Sequence, residues 1–289
     1  QVLRGLLRWM PRLKVLMLSA HTQRGAEATV EALAAGAIDF IDKSSFNVMD
    51  LESLRREVVE KIAALGPSRT PPATARTPGA APSQPAPDLE AVARCELCVI
   101  GASTGGPAAL QRIVERISPG FPMPAVVVQH MPAGFTKPFA QRLDGLSRVP
   151  VGEAVEGERL IPGHVRIAPA GTHLRITANL AVVLSGEPAN AKHVPSIDIA
   201  MKSAARALPG RVLGILLTGM GDDGADGMVA IRASGGLTIA ESEASCVVYG
   251  MPRAALARGG ATCALPLPEI AGLLGRLKGG FPSTSEGRR

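Results

Sequence analysis

The sequence has few aromatic residues and no long hydrophobic segment. Phe, Trp and Tyr make up 3% of the 289 residues, and the Lys and Arg residues behind the net charge of +6 are scattered among acidic ones. Nucleic-acid interfaces cluster their basic residues, often beside stacking aromatics, so no nucleic acid partner is expected. No apolar run reaches the ~18–20 residues that cross a bilayer, so no membrane insertion is expected. Because a secretory signal is also missing, the predicted location is cytoplasmic.

Cysteine is scarce as well, with four in the chain. Cys95 and Cys98 form a C-x-x-C pair, but no second pair follows at zinc-finger spacing, so small buried residues are favoured over a metal or redox site. Two nucleotide-binding motifs are missing. The P-loop motif fails because Gly106 is followed by Pro107 where a lysine is required, and G-x-G-x-x-G fails because position 103 is Ser. The sequence therefore predicts neither a metal nor a nucleotide cofactor.

Composition and hydrophobic periodicity divide the chain into four segments. Residues 1–65 alternate helix and strand patterns in the order α-β-α-β-α, which predicts a small parallel sheet. Residues 66–90 are almost entirely Pro, Ala, Ser, Thr and Gly, which predicts an extended linker. Residues 91–278 have the pattern of an α/β domain with a doubly wound, mostly parallel sheet. The last residues, 279–289, are expected to form a flexible tail.

Two local patterns make sharper predictions. The apolar run at 15–18 is typical of a strand buried on both faces. In the large domain, three short apolar runs at 165–168, 174–177 and 181–184 predict an antiparallel hairpin or meander added to the parallel sheet.

Residues Gly101 to Gly105 read G-x-S-x-G, with a strand pattern at 95–100 before them and a helix pattern at 107–117 after them. This is the context of a nucleophile at a sharp strand-to-helix turn. Glycines permit such a turn, and the N–H groups at the helix start suit a developing oxyanion. The same pattern also occurs in turns that only pack a strand on a helix. Ser103 is therefore a candidate nucleophile that needs partners.

A serine nucleophile needs a base and a carboxylate that orients it. His130 follows the apolar strand 125–129, and a strand at 213–218 leads into Gly-Met-Gly-Asp-Asp-Gly at 219–224. Binding sites of open parallel sheets lie at the carboxyl ends of strands, so these groups are expected to converge. A lone loop histidine is more often structural, and it is the three together that favour catalysis. Gly224 stands where a calcium loop needs its third ligand, which argues against a metal here.

The other histidines give weaker signals. His164 and His173 flank the predicted hairpin and are interpreted as polar strand or turn positions. His193 opens the segment His-Val-Pro-Ser-Ile-Asp, which either lines a substrate cleft or only starts a helix. In both cases Ser196 is a good candidate for the N-cap of that helix.

Six stretches of the large domain resemble the protein-glutamate methylesterases of bacterial chemotaxis, in the family's order. They are IGASTGGP (100–107), VVVQHMP (126–132), HVRIAPAGTHL (164–174), HVPSIDIAM (193–201), LLTGMGDDGADGM (216–228) and SCVVYGMPRAA (245–255). The resemblance implies hydrolysis of glutamate γ-methyl esters on chemoreceptors, and deamidation of receptor glutamines, without a cofactor in this domain.

The same resemblance assigns roles to single residues. It implies that Ser103 is the nucleophile, His130 the base and Asp223, rather than its neighbour, the orienting carboxylate. It also implies that Thr104 and the backbone N–H of Met220 bind the oxyanion. Two alternatives stay open at this point, namely a hydrolase of small esters with the same triad and a non-catalytic adaptor with a degenerate site.

Residues 1–65 resemble the C-terminal half of a response-regulator receiver domain. The resemblance implies that Ser19 is the switch residue and Lys43 the lysine that contacts the phosphoryl group, although Ser44 stands where a proline is usual. The phospho-accepting aspartate would lie upstream of Gln1, so no residue of this chain is assigned that role. Mg²⁺, a phosphoryl donor and a sensor histidine kinase would serve only an intact receiver. Because half a receiver leaves strand edges unpaired, this part is expected to be poorly ordered or non-regulatory.

Overall fold

A computed structural model of the chain describes residues 2–19, 22–43, 51–66 and 87–278. Most of the predicted linker (66–90), all of the predicted tail (279–289) and Ser44 lie outside the described residues. Linker and tail therefore stay predictions.

The N-terminal part alternates helices and strands as the sequence pattern predicts. Its elements are α1 (Val2–Trp9), β1 (Leu16–Ser19), α2 (Gln23–Ala34), β2 (Asp39–Asp42) and α3 (Leu51–Leu65). Strands β1 and β2 pair in parallel, with Leu16 opposite Asp39 and Ser19 opposite Asp42. The prediction that the first strand is buried on both faces is wrong, because Leu18 is 63% exposed. An apolar run indicates a strand, but it does not show whether another element covers each face.

The first helix of the larger part starts at Leu89. Its elements are α4 (Leu89–Ala93), β3 (Leu97–Ala102), α5 (Gly106–Val114), β4 (Ala125–Gln129), α6 (Thr136–Asp144), β5 (Val151–Glu153), β6 (Val165–Ile167), β7 (His173–Ile176), β8 (Val182–Ser185), α7 (Ile197–Ala207), β9 (Val212–Leu216), α8 (Ala225–Ala233), β10 (Leu237–Glu241), α9 (Met251–Ala257), β11 (Cys263–Leu265) and α10 (Leu267–Arg276).

Seven of these strands form one sheet in the order β11-β10-β9-β3-β4-β6-β5, and every pair in it is parallel. Strands β7 and β8 form a separate antiparallel hairpin, which confirms the predicted hairpin. The run at 165–168 was expected to join that hairpin or meander, but β6 pairs with β4 and β5 in the main sheet. Its inward residues Val165 and Ile167 are buried there. Short alternating runs look alike in sequence whichever strand they pair with.

The order of the strands changes direction next to β3. From β3 the chain adds β4 on one side, and it later returns to add β9, β10 and β11 on the other side. In open α/β sheets such a switch point opens a crevice at the carboxyl ends of the strands, where ligands bind. The residues that follow β3, β4 and β9 therefore meet at one place.

Both faces of the main sheet are buried, so its central strands β9, β3 and β4 are apolar except for Gln129, the last residue of β4. Cys98 and Ile100 of β3 face one core cluster, whereas Leu97 and Val99 face the other. The N-terminal part packs on the first cluster, since α2 contacts α5 and α6 and the rings of Phe40 and Phe135 are 4.5 Å apart. Within the described residues, no helix has the length and apolar character needed to cross a membrane.

The four cysteines carry free thiols in the described structure. Cys95, Cys98 and Cys263 are buried, and burial raises the pKa of the Cys95 thiol to about 11. A thiol that stays protonated at neutral pH is a poor nucleophile and a poor metal ligand. The C-x-x-C pair packs as small buried residues, as predicted.

Candidate active site

Ser103 lies one residue beyond β3, in the turn that leads into α5. Its backbone N–H donates to the Thr218 carbonyl at 3.0 Å, and its own carbonyl accepts from the Gly106 N–H at 2.8 Å. Gly105, the N-cap of α5, has a φ of +80°, and a Cβ there would lie 2.6 Å from the Cβ of Val247. A side chain at this position would be both strained and blocked. The glycines thus hold the serine at the strand end, as the sequence pattern predicts.

His130 follows β4 and bridges Ser103 and Asp223. Its Nδ1 lies 3.2 Å from the Ser103 Oγ, and its Nε2 lies 2.8 Å from the Asp223 Oδ2. A carboxylate only accepts hydrogen bonds, so Asp223 selects the tautomer of the neutral ring that carries its proton on Nε2. Nδ1 is then left with a lone pair that faces the serine hydroxyl. The structure therefore brings together the three side chains that the sequence predicts, in the geometry of a nucleophile, a base and an orienting acid.

The Asp223 carboxylate is fixed by more than His130. Its two oxygens also accept from the Ser196 hydroxyl at 2.9 Å and from the backbone N–H groups of Ile197 and Asp198 at 2.8 and 3.1 Å. Burial acts to raise the pKa of Asp223, but the hydrogen bond and charge of His130 and the two backbone donors outweigh it and hold this pKa well below its usual range. The carboxylate is therefore ionised and oriented at neutral pH.

The two backbone donors are the first N–H groups of α7, so a helix N-terminus holds the Asp223 carboxylate. Ser196 is the N-cap of this helix, as predicted, and its hydroxyl accepts from the Ile199 N–H. His173 anchors the same turn, because its Nδ1 accepts from the Ser196 N–H at 3.1 Å. The interpretation of His173 as a flanking polar position is incomplete, since the side chain is fully buried. Its partner is 23 residues away, so spacing alone did not reveal it.

The neighbouring aspartate has a different environment. Asp222 is exposed, and its carboxylate pairs with the Arg258 guanidinium, which also contacts Asp226 at 2.7 Å. Of the two adjacent carboxylates, only Asp223 reaches His130.

Thr104 and Met220 both line the cavity over Ser103 and His130. Thr104 is almost fully buried, and its hydroxyl donates at 2.8 Å to Asp39 of the N-terminal part. The Lys61 ammonium lies 2.6 Å from the same Asp39 oxygen. That Thr104 and the backbone N–H of Met220 bind an oxyanion stays a prediction.

The cavity measures about 390 Å³, and both parts of the chain line it. Asp39 and Lys61 face it from the N-terminal part, whereas Ser103 and His130 face it from the large part. A larger cavity of about 520 Å³ lies between the hairpin and α7, and its wall includes none of Ser103, His130 and Asp223. Chemistry rather than size therefore identifies the candidate site.

Three supporting residues were missed by the sequence reasoning. Gln129 donates through Nε2 to the Ser103 carbonyl at 3.0 Å, and the Thr218 hydroxyl donates to the Thr104 carbonyl at 3.0 Å. Glu241 is fully buried at the end of β10 and accepts from the Thr218 N–H at 2.8 Å. Burial raises the pKa of the Glu241 carboxyl. An acidic residue at the carboxyl end of a buried strand is the signal that could have located it.

The two predicted receiver residues lie at the carboxyl ends of β1 and β2. Ser19 is buried, and its Oγ accepts from the Thr29 hydroxyl at 2.6 Å. Lys43 follows β2 directly and is exposed. Their roles in a phosphorylation switch stay predictions.

Known proteins provide an independent comparison. The profile of the CheB methylesterase family matches residues 98–274. Two similar relatives are the protein-glutamate methylesterase/protein-glutamine glutaminase 3 of Burkholderia lata, 42% identical over 91% of this chain and 74% of its own length, and the protein-glutamate methylesterase/protein-glutamine glutaminase of Bordetella parapertussis, 43% identical over 91% and 75%. The crystal structure of the Thermotoga maritima CheB methylesterase catalytic domain covers 63% of this chain and 98% of its own, with 41% identity and a TM-score of 0.61. On this sequence and structural similarity, the chain belongs to the CheB methylesterase family.

Proposed function

We propose that this chain hydrolyses glutamate γ-methyl esters on chemoreceptors, releasing methanol, and deamidates receptor glutamines by the same route. The observation that carries the proposal is the hydrogen-bonded series from Ser103 through His130 to Asp223 at the switch point of the sheet. Relatives that share over 40% of its sequence are named for both activities.

The geometry supports a two-step mechanism. The Ser103 oxygen attacks the ester carbonyl while His130 Nδ1 takes its proton, and Asp223 stabilises the charge that forms on the ring. The tetrahedral intermediate collapses and His130 returns the proton to the departing methanol. A water molecule then gives a proton to His130 and attacks the acyl-enzyme, and His130 passes that proton to the Ser103 oxygen as the bond to the acyl group breaks, which frees the glutamate product and restores Ser103. With a glutamine side chain the leaving group of the first step is ammonia.

The oxyanion of each tetrahedral intermediate needs donors close to Ser103. We assign this part to Thr104 and the backbone N–H of Met220, beside the N-terminus of α5. The Thr104 hydroxyl donates to Asp39 in this structure, so it must exchange that acceptor before it can serve an oxyanion. Every step uses side chains and water, so the proposed chemistry needs no cofactor.

The partners follow from the same proposal. The substrate is a methylated glutamate in the cytoplasmic region of a chemoreceptor, so the protein acts in the cytoplasm, without a nucleic acid partner. A sensor histidine kinase, with Mg²⁺ and a phosphoryl group, would act on an intact receiver domain, in which Ser19 and Lys43 would take their predicted roles.

Methanol release tests this proposal against its two alternatives. The protein is incubated with methylated receptor membranes and, separately, with the γ-methyl ester of N-acetylglutamate. We expect methanol from the membranes and little from the small ester, whereas a general esterase would favour the small ester. A non-catalytic adaptor would release no methanol from either and would not be labelled by a fluorophosphonate.

A further inference from the structure

A second histidine covers one face of the His130 ring. The rings of His193 and His130 are nearly parallel, with an angle of 12° between their planes and 4.1 Å between their centroids. His193 lies in the loop before α7, three residues from the N-cap Ser196 that binds Asp223. The same loop thus contacts Asp223 through Ser196 and places the ring of His193 on the ring of His130.

The hydrogen bonds of His130 do not by themselves fix its orientation. Both of its bonds, to Ser103 and Asp223, use the two ring nitrogens, whose N–H and lone pair point outward in the plane of an imidazole. Rotation about the axis that joins the two nitrogens would keep both bonds while tilting the ring. A parallel ring in van der Waals contact opposes that tilt. This matters because the Ser103 Oγ is 3.2 Å from Nδ1, and proton transfer is sensitive to small errors in alignment.

His193 is suited to this position because it stays uncharged. Burial and, to a smaller extent, the neighbouring His130 lower the pKa of His193 to about 4, against a smaller opposing effect of Asp223. At neutral pH the ring that covers His130 is therefore neutral, and it adds no repulsion when His130 takes up the serine proton. It meets His130 with its face rather than with a nitrogen, so it does not exchange a proton with the base.

We propose that His193 is a positioning residue, which acts by holding the His130 ring flat between Ser103 and Asp223. The proposal rests on the proposed function in one respect, namely that His130 is the base. It predicts that a flat ring at position 193 is required and that an imidazole is not.

Three substitutions separate these requirements in the methanol-release assay. His193→Ala removes the ring, and we expect kcat to fall about 10- to 100-fold with KM within about twofold, because alignment rather than binding is lost. His193→Phe restores a flat ring and should keep at least about a third of the wild-type kcat. His193→Leu has bulk without a flat ring and should behave as the Ala variant does, and it replaces that variant if Ala does not fold. The control is His164→Ala, at the opposite, N-terminal end of β6.

The rate of Ser103 labelling by a fluorophosphonate provides a readout that does not depend on the natural substrate. The same order is expected, with wild type and His193→Phe fast and the Ala and Leu variants slow, even if the substrate proposal fails. Wild-type kcat in the Ala and Leu variants would overturn the inference. So would a Phe variant as slow as Leu, because the imidazole itself would then be needed. A large rise in KM with unchanged kcat would assign His193 to substrate binding instead and would equally overturn it.

Discussion

Strands β1 and β3 are both short parallel strands with a serine at the carboxyl end, yet their surroundings differ. β3 pairs with β4 on one side and β9 on the other, and all six of its residues are buried. Among the described residues β1 pairs with β2 alone, and Leu18 points out of it with 63% exposure. Ser103 faces the nitrogen of a histidine, whereas Ser19 is bonded to the hydroxyl of Thr29.

Neighbouring strands, more than the turn itself, determine which groups surround a serine at a strand end. β4 brings His130 to one side of Ser103, and β9 leads to Asp223. The strand beside Ser19 brings an exposed lysine, Lys43, which is a residue for binding an anion rather than for activating a hydroxyl. The two strand ends should therefore respond very differently to substitution.

The largest effect is expected at the carboxylate that β9 supplies. Asp223→Asn should lower kcat by about 10³- to 10⁴-fold, because the amide no longer selects the tautomer in which Nδ1 accepts the serine proton. The matched control is Asp222→Asn, which alters an exposed carboxylate paired with Arg258 and should stay within about threefold of wild type. Steady-state methanol release measures both. Similar losses in the two variants would contradict the assignment.

Strand packing should show the second largest effect. Leu97 of β3 is fully buried, so Leu97→Ala should reduce the free energy of unfolding by about 2–5 kcal/mol. Leu18→Ala in β1 removes a largely exposed side chain and should change it by less than about 0.5 kcal/mol. Urea unfolding of the two variants and the wild type gives both values. If Leu18→Ala reduced the free energy of unfolding as much as Leu97→Ala does, the side chain of Leu18 would be covered in solution by another segment or molecule.

The smallest effect concerns the pH dependence of stability at the ring next to His130. His193 has a pKa lowered to about 4 in the folded protein, against 6.5 for an ordinary histidine. Between these values His193 binds a proton in the unfolded chain but not in the folded protein, so its contribution to wild-type stability becomes less favourable as pH falls from about 6.5 to about 4. His193→Phe lacks this loss. The charged groups that face position 193 are common to both proteins, namely His130, Asp223, Lys192 and Asp222.

Thermal unfolding at pH 7 and at pH 4.5 measures this linkage. The Tm of His193→Phe minus that of the wild type should be more positive at pH 4.5 than at pH 7. A Tm difference that does not change with pH would show that His193 titrates as an ordinary, solvated histidine.

Local sequence patterns were sufficient to bring most of the catalytic candidates together. Apolar runs located β3, β4 and β9, and the alternation of strands and helices predicted a parallel sheet, so Ser103, His130 and the aspartates after β9 were expected at one edge. The choice of Asp223 over Asp222 came from the family resemblance. These predictions rest on local hydrophobic patterns and on the rule that open parallel sheets bind ligands at the carboxyl ends of their strands.

What the sequence could not reveal depends on contacts between distant segments. Thr104 donates a hydrogen bond to Asp39, which lies 65 residues away in the sequence. His193 stacks on His130 because of how the loop before α7 packs. Within the described residues nothing covers the side chain of Leu18, and no local sequence pattern indicates whether a neighbour is present. The pairing of β6 likewise depends on which strand lies next to it rather than on its own residues.

The central claim is that Ser103, and not merely a serine at a strand end, is the nucleophile. The most direct measurement is the initial rate of methanol release from methylated receptor membranes by Ser103→Ala and Ser19→Ala, compared with the wild type. We predict that Ser103→Ala folds as the wild type does and releases no methanol above background, whereas Ser19→Ala retains the reaction. Methanol release by Ser103→Ala at the wild-type rate would contradict the account.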